Sequence, residues 1–211
     1  MMSETAMVFV IDDDQSVRKS LARMLDAAHY TVELFESASD FLSRPAYPGP
    51  SCVVVDVQMP GLNGIELQKA LIENGREEQL VFITGYGNIP MCADVMKAGA
   101  VDFLPKPFKR TELLGSVERA LTRSAKERQR ASERERARGL IQRLTPRELQ
   151  VMKLVATGLL NKQVGGELGM AEKTVKTHRA HMMQKLGITS VAELMRMLQQ
   201  AKITLAVRPR R

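Results

Sequence analysis

Residues 8–20 read VFVIDDDQSVRKS. An apolar, β-favouring run ends in three adjacent aspartates, Asp12 to Asp14, and a helical pattern opens directly after them. A run that is apolar throughout suits a strand buried on both faces, as in a parallel sheet covered by helices. Three neighbouring carboxylates repel one another, so a compensating cation is expected nearby. The same order recurs along the chain. Strands are expected at 7–11, 31–35 (TVELF), 52–56 (CVVVD), 80–84 (LVFIT) and 101–105 (VDFLP). Helical patterns lie near 15–28, 38–43, 63–74, 89–98 and from 110 onward. Repeated strand–helix alternation predicts an α/β fold with a parallel sheet and helices on both faces.

In such a sheet ligands bind beyond the carboxyl ends of the strands. Asp12, Asp13 and Asp14 follow the first strand, Asp56 ends the third, Thr84 ends the fourth and Lys106 follows the fifth. These polar groups converge on one edge. Clustered carboxylates suit a hard divalent cation, Mg2+ (or Mn2+), which prefers oxygen donors and keeps several waters. Lys106 and the Thr84 hydroxyl would then face a phosphate. Asp56 becomes a candidate nucleophile, because a carboxylate can form an aspartyl phosphate, with metal and lysine stabilising the charge in flight.

Charge divides the chain. Residues 1–123 carry 12 Lys/Arg and 17 Asp/Glu, whereas residues 124–211 carry 19 and 7. An acidic front and a basic back imply two domains with different partners, the back being the place for nucleic acid. No apolar run reaches the roughly 18 residues that span a bilayer. No export signal is evident, and Cys52 and Cys92 are the only cysteines. The expectation is a cytoplasmic protein with free thiols and no membrane partner.

From about 110 to 141 the pattern is one long helix ending in KERQRASERERAR, where Glu and Arg recur three and four residues apart as on an exposed helix. A coiled-coil seam through Leu114, Val117 and Leu121 is the alternative to a solvated linker. The last part is a compact set of helices. LTPRELQVMKLVATG carries a capping box, with Thr145 as N-cap, Pro146 next and Glu148 three residues on. Gly158, Gly169 and Gly187 read as breaks before helices near 161–168, 172–186 and 190–201.

Within AEKTVKTHRAHMMQKLG (171–187), Val175, Met182 and Leu186 share one helical face and should pack inward. Lys173, Thr177, Ala180 and Gln184 share another, with Lys176 beside them. A basic face of small residues suits the major groove. Asn161 and Lys162 open the preceding helix, where amides and lysine can hold phosphate. A basic protein-docking face and RNA are the alternatives; the dearth of aromatics argues against RNA stacking.

The first 120 or so residues resemble the receiver domain of bacterial two-component response regulators, through IDDD, VVVDVQMPGLNGIEL, FITG, MKAGAVDF and LPKPF. Residues 142–205 resemble the LuxR-type helix-turn-helix module, through LTPRELQVMKLVATGLLNKQV and KTVKTHRAHMMQKLG. Together they resemble the FixJ/NarL family, closest to its FixJ/StyR-like members. The resemblance implies a flavodoxin-like receiver at 1–123, a helical linker at 124–141 and a four-helix DNA-binding domain at 142–211. It makes Asp56 the phosphoacceptor, with Asp12, Asp13, Asp56 and the backbone carbonyl of Gln58 at the metal. Thr84 and Phe103 become switch residues and Lys106 the phosphate contact. Asp14 is often acidic in the family without being a ligand, Gln58 and Tyr86 fall at positions that tune phosphate lifetime, and Lys106–Pro107 is often cis. In the basic half it implies a recognition helix at 172–186. Lys176 and Thr177 fall at base-contacting positions, Lys173, Asn161 and Lys162 at phosphate contacts, and Thr174 and Arg179 complete the DNA-facing set. Ala180 stands where NarL carries a groove-facing lysine, a departure that bears on which sequence is recognised. Val191, Leu194, Met195 and Leu198 become the apolar face of a dimerisation helix, the alternative being a helix that only completes the core.

The implied function is regulatory rather than enzymatic. A sensor histidine kinase phosphorylates Asp56, and the face formed by residues 89–98 and 101–104 changes. A homodimer then forms and binds double-stranded DNA, with RNA polymerase a further partner and activation the expected output. Two rivals are an aspartyl-phosphate phosphatase and a constitutive DNA-binding protein with an idle receiver. The phosphatase would need a second carboxylate where this chain has Gln58.

Overall fold

The computed structural model describes residues 5–85 and 89–203. Five strands form where apolar β-favouring runs occur: β1 Met7–Ile11, β2 Thr31–Phe35, β3 Ser51–Asp56, β4 Gln79–Thr84 and β5 Asp102–Pro105. Between them lie α1 Gln15–Asp26, α2 Ala38–Ser43, α3 Gly64–Glu73 and α4 Ile89–Lys97, and α5 Arg110–Gln142 follows β5. The strands make one parallel sheet in the order β2-β1-β3-β4-β5. Element ends differ from the sequence expectation by a residue or two.

Strand side chains alternate between faces, and each face buries an apolar layer. Phe9, Ile11, Val53, Val55 and Phe82 pack with Phe41, Leu67, Leu71 and Val95 on one side. Val8, Val10, Val54, Val81 and Ile83 pack with Leu21, Leu25, Leu113 and Val117 on the other. β3 and β4 are buried along their whole length, while the edge strand β2 is largely exposed.

The chain winds from β1 to β2 on one side, then crosses β1 to continue from β3 on the other. That reversal opens a crevice beyond the carboxyl ends of β1 and β3. Register sets the levels: Ile11 pairs with Val55, Asp56 with Ile83 and Thr84 with Pro105. Residues 12, 56, 84 and 106 therefore emerge at one edge. Gly64 brings the start of α3 against that edge. A Cβ there would stand 2.5 Å from the Asp56 carbonyl oxygen and 3.2 Å from the Phe82 ring.

Helix α5 is 33 residues long, in agreement with the long helical pattern. Val117 and Leu121 are buried against the sheet, so the Leu114–Val117–Leu121 stripe is not a free coiled-coil seam. The chain divides into two compact units between Arg128 and Gln129, within α5. Ser124, Glu127 and Arg128, which the charge pattern assigns to the linker, make hydrogen bonds inside the first unit.

The second unit holds the end of α5 with α6 Pro146–Ala156, α7 Asn161–Leu168, α8 Glu172–Leu186 and α9 Val191–Gln200. Its core gathers Val151, Met152, Val155, Val164, Val175, Met182 and Leu186. Thr145 and Glu148 cap α6 reciprocally, as the sequence predicts. At Gly165 a Cβ would stand 2.6 Å from the Met170 carbonyl oxygen, so glycine permits the tight turn from α7 to α8. One expectation needs correction. Leu194 and Leu198 are 0% and 2% exposed, buried in this unit's own core, and Val191 packs against it. Of the four residues expected to form a dimer face, only Met195 is exposed. A small four-helix core needs the apolar stripe of α9 for itself. Among the described residues, no helix is long and apolar enough to cross a membrane.

Candidate acidic site and candidate nucleic-acid interface

The three adjacent aspartates do three different things. Asp12 is 1% exposed, and its Oδ1 accepts the Asp14 amide at 2.9 Å. Asp13 is exposed at the mouth of the crevice. Asp14 is the N-cap of α1, accepting from the Ser16 amide at 2.7 Å and from the Val17 amide. The Ser16 hydroxyl and amide hold the Asp14 carboxyl below its ordinary range. Its acidity thus serves the helix start, a role that the acidic run concealed.

Asp56 ends β3 with its Oδ1 accepting the Gln58 amide at 3.1 Å. The Lys106 ammonium donates to Asp56 Oδ2 at 2.7 Å and to Asp12 Oδ2 at 3.0 Å. The Lys106 amide donates to the Thr84 carbonyl at 2.7 Å, which ties the end of β5 to the end of β4. Thr84 is fully buried. Phe103 is half-buried against the α2–α4 side of the sheet. Lys106–Pro107 is cis. Tyr86 lies outside the described residues.

Burial pushes the Asp12 carboxyl above its ordinary range, although Lys106 and the Asp14 amide pull it down. Burial alone would lower the Lys106 ammonium. Its hydrogen bonds to Asp56 and Asp12 outweigh that and hold it above its ordinary value. Carboxylate oxygens of Asp12, Asp13 and Asp56 lie within 4.8 Å of one another. One ammonium faces three carboxylates, so negative charge is left over, and all the donors are hard oxygens. Such a set fits a small divalent cation.

Two supporting residues were not singled out from the sequence. Gly64 admits α3 to the end of β3. Arg18, one turn into α1, donates from its guanidinium to the Asp12 main-chain carbonyl and pins the turn that carries the aspartates. Arg18 sits four residues after the N-cap, a spacing that could have marked it as reaching back over the turn.

In the second unit, α8 presents Lys173, Thr174, Lys176, Thr177, Ala180 and Gln184 to solvent, while Val175, Met182 and Leu186 are buried. This is the division that the helical period predicts. The Thr177 hydroxyl donates back to the Lys173 carbonyl at 3.2 Å, so outward it offers an acceptor lone pair and a methyl. Lys176 pairs with Glu172 at 3.0 Å, an exposed ion pair that costs little to break. Lys162 is exposed. Asn161 is committed differently, its Oδ1 accepting from Arg179 at 3.0 Å. That bond braces α7 against α8 and leaves Arg179 half-buried. His181 is exposed and His178 half-buried. Near the end of α8 the exposed Lys185 donates to the buried Glu148 at 2.7 Å, holding the carboxyl of Glu148 below its ordinary range.

Comparison with known proteins gives two family matches. Residues 8–118 match the response regulator receiver domain, and residues 142–198 match the bacterial regulatory proteins of the luxR family. Nodulation protein W of Bradyrhizobium diazoefficiens is 45% identical over 202 residues, covering 96% of this chain and 89% of that one. Response regulator protein TodT of Pseudomonas putida is 37% identical over 205 residues, covering 97% and 90%. Among solved structures, the response regulator StyR is 45% identical with a TM-score of 0.84, covering 93% of this chain and 99% of that one.

Proposed function

This chain belongs to the response regulators that join a receiver domain to a LuxR-type DNA-binding domain, and from that membership we propose that phosphorylation of Asp56 controls its binding to DNA. Its class is transcription regulation, not metabolic catalysis. The observation that carries the proposal is the Lys106 ammonium bridging Asp56 and Asp12 at 2.7 and 3.0 Å, beside Asp13. The counter-charge for an acyl phosphate is already at the acceptor.

A carboxylate oxygen of Asp56 attacks the phosphorus of a phosphohistidine on a sensor kinase. The P–N bond breaks, a P–O bond forms, and the imidazole leaves with the electron pair. Asp12, Asp13, Asp56 and the Gln58 carbonyl would hold Mg2+ or Mn2+, which supplies charge neutralisation at the transferring oxygens. Lys106 passes from the carboxylates to a phosphoryl oxygen. The Thr84 hydroxyl donates to another, and Phe103 follows Thr84. Phosphate is thus the differential ligand of a two-state receiver.

In this reading the receiver, expected at 1–123, runs on through Arg128, the linker expected at 124–141 is confined to the part of α5 beyond it, and 142–211 form the DNA-binding domain. Lys176 and Thr177 read bases, Lys173 and Lys162 hold phosphates, and Thr174 faces the DNA beside them. Arg179 and Asn161 act as a pair, the first braced by the second. Phosphorylation favours a homodimer, which gains on two half-sites through linked binding. The protein works in the cytoplasm beside RNA polymerase. The alternative of a small-molecule phosphatase is disfavoured by Gln58, which cannot serve as an acid or base two residues after Asp56.

The test is DNA binding at fixed salt against a random-sequence pool, with and without a small phosphodonor and magnesium, for wild type and Asp56→Ala. Donor-dependent enrichment of a two-fold site in wild type alone is the expected result. Equal binding by both proteins, with or without donor, would overturn the switch and leave the receiver a scaffold.

A further inference from the structure

The receiver's apolar layer on the α5 side is complete at Leu121. The next turns of α5 carry no large apolar group, yet they are attached to the sheet by polar bonds. Ser124 is 1% exposed, and its Oγ accepts the Ser51 amide at 3.0 Å. Glu127 accepts from the side-chain amide of the buried Gln79 at 2.7 Å. Arg123 pairs with Glu127 at 2.9 Å and donates to the Gly99 carbonyl at 3.2 Å. Arg128 donates to the Pro48 carbonyl.

The partners are not scattered. Ser51 begins β3 and Gln79 begins β4. Those strands end in Asp56 and Thr84, and Gly99 precedes β5, after which Lys106 follows. One short helical segment therefore holds the amino ends of the strands whose carboxyl ends form the acidic site. A strand of this length spans roughly 17 Å and is stiff along its axis. Hydrogen bonds depend steeply on distance and angle, so a small shift of a strand alters them more than it alters apolar packing.

Resting on the phosphoacceptor reading of Asp56, we infer that residues 123–128 are the receiver's output anchor, with Ser124 and Glu127 as positioning residues. When Lys106 leaves Asp56 and Asp12, and Thr84 is drawn to the phosphoryl group, β3 and β4 adjust against each other. The Ser51–Ser124 and Gln79–Glu127 bonds carry that adjustment into α5. The linker proper then begins after Arg128.

The test uses the full chain and beryllofluoride with magnesium, a stable mimic of the acyl phosphate. Hydrogen exchange of wild type is followed at the Ser51 amide and at residues 123–128, alongside DNA affinity. Glu127→Ala and Ser124→Ala are measured in parallel, with Glu127→Gln as the conservative rescue that keeps an acceptor for Gln79. The anchor predicts a beryllofluoride-dependent change in exchange at 123–128 in wild type. It also predicts that both alanine variants bind beryllofluoride and unliganded-state DNA as wild type does. Their beryllofluoride-induced gain in DNA affinity falls from roughly tenfold or more to under about twofold, and Glu127→Gln restores it. Unchanged exchange at 123–128 in a wild-type protein that binds beryllofluoride overturns the anchor, as does a full affinity gain in Glu127→Ala. A change in exchange without any gain in DNA affinity overturns the switch reading instead and leaves the anchor standing. Failure of wild type to bind beryllofluoride overturns the phosphoacceptor reading, and the anchor with it. If Ser124→Ala does not fold, wild-type exchange and Glu127→Ala, whose side chain is half-exposed, still decide.

Discussion

The acidic site and the basic face are assembled in opposite ways. Asp12, Asp56, Thr84 and Lys106 come from four separate stretches of chain, and the sheet register brings them to one edge. Lys173, Thr174, Lys176 and Thr177 come from a single helix and are exposed together by its period alone. The first arrangement buries charge, so every group needs a partner, and Lys106 serves two carboxylates at once. The second leaves charge in water, where the Lys176–Glu172 pair can form or break at little cost. A buried site can hold a metal and a phosphoryl group in a set geometry. An exposed face can slide along a polyanion until its side chains meet the right bases.

The sharpest way to test this comparison is to remove the support of the basic face without touching its charges. Leu194→Ala opens a cavity in the small core under α8 and α9, and it should cost about 2–5 kcal/mol. Met195→Ala, one residue on but exposed, should cost under about 0.5 kcal/mol. Chemical denaturation of the full chain, followed by far-UV circular dichroism, reads both. Equal small effects would mean that Leu194 is not the core residue its burial implies.

Next in size is the response of the acidic site to metal. Magnesium at about a hundred times its dissociation constant should stabilise the receiver by about 2.7 kcal/mol, because only the folded site assembles the carboxylates. Asp13→Asn should remove most of that gain while leaving the metal-free melting temperature unchanged or higher, since it relieves crowding of carboxylates. Thermal melts with and without magnesium check it. Equal magnesium gains in both proteins would place the metal elsewhere.

The basic face itself separates into two kinds of contact. Lys176→Ala should lose about 1–3 kcal/mol on the preferred site and relax preference at one base position. Lys173→Ala should weaken binding to all sequences alike and shallow the logarithmic salt dependence by about one. Selection from a random pool at two salt concentrations tells them apart. Identical profiles would remove the distinction between reading and holding.

The smallest effect expected concerns acid. Lys185 holds the Glu148 carboxyl below its ordinary value of 4.5. Its contribution to stability is therefore full above that value and is lost as pH falls through the depressed native one. Glu148→Gln should lower stability at pH 7 by about 1 kcal/mol and flatten the acid limb of the second unit. An unchanged acid limb would show that other carboxylates set it.

Much of this was legible in advance, and the reasons are specific. The strands at 7–11, 52–56 and 80–84 are legible because strands buried on both faces are apolar nearly along their length, whereas 31–35 and 101–105 are marked by β-favouring residues between helical patterns, and β2 is largely exposed. The helix α8 was visible because one helical period divides Val175, Met182 and Leu186 from Lys173 and Thr177. Other features were not. The resemblance sets Asp14 apart from the metal ligands, but only the structure shows what it does instead, its oxygen accepting from the Ser16 and Val17 amides at the start of α1. Leu194 and Leu198 looked like a dimer face, because an apolar stripe reads the same whether its own core or a second copy covers it. Ser124 and Glu127 read as linker, because a small polar residue and a charge give no sign of partners 73 and 48 residues away.

Local interactions decide what a short stretch becomes, and these the chain carries in plain order: strand, helix, cap and break follow from burial pattern and capping chemistry. The acidic front, the basic back and the rank of polar residues at strand ends belong to the sequence in the same sense. Which of those residues meet is a matter of register and of who occupies a buried position. The sheet order β2-β1-β3-β4-β5, the Lys106 bridge, the close approach at Gly64 and the Ser51–Ser124 bond all join residues far apart in the chain. Such contacts carry no local signature, since they are selected by packing the whole domain at once, and only the tertiary structure decides them.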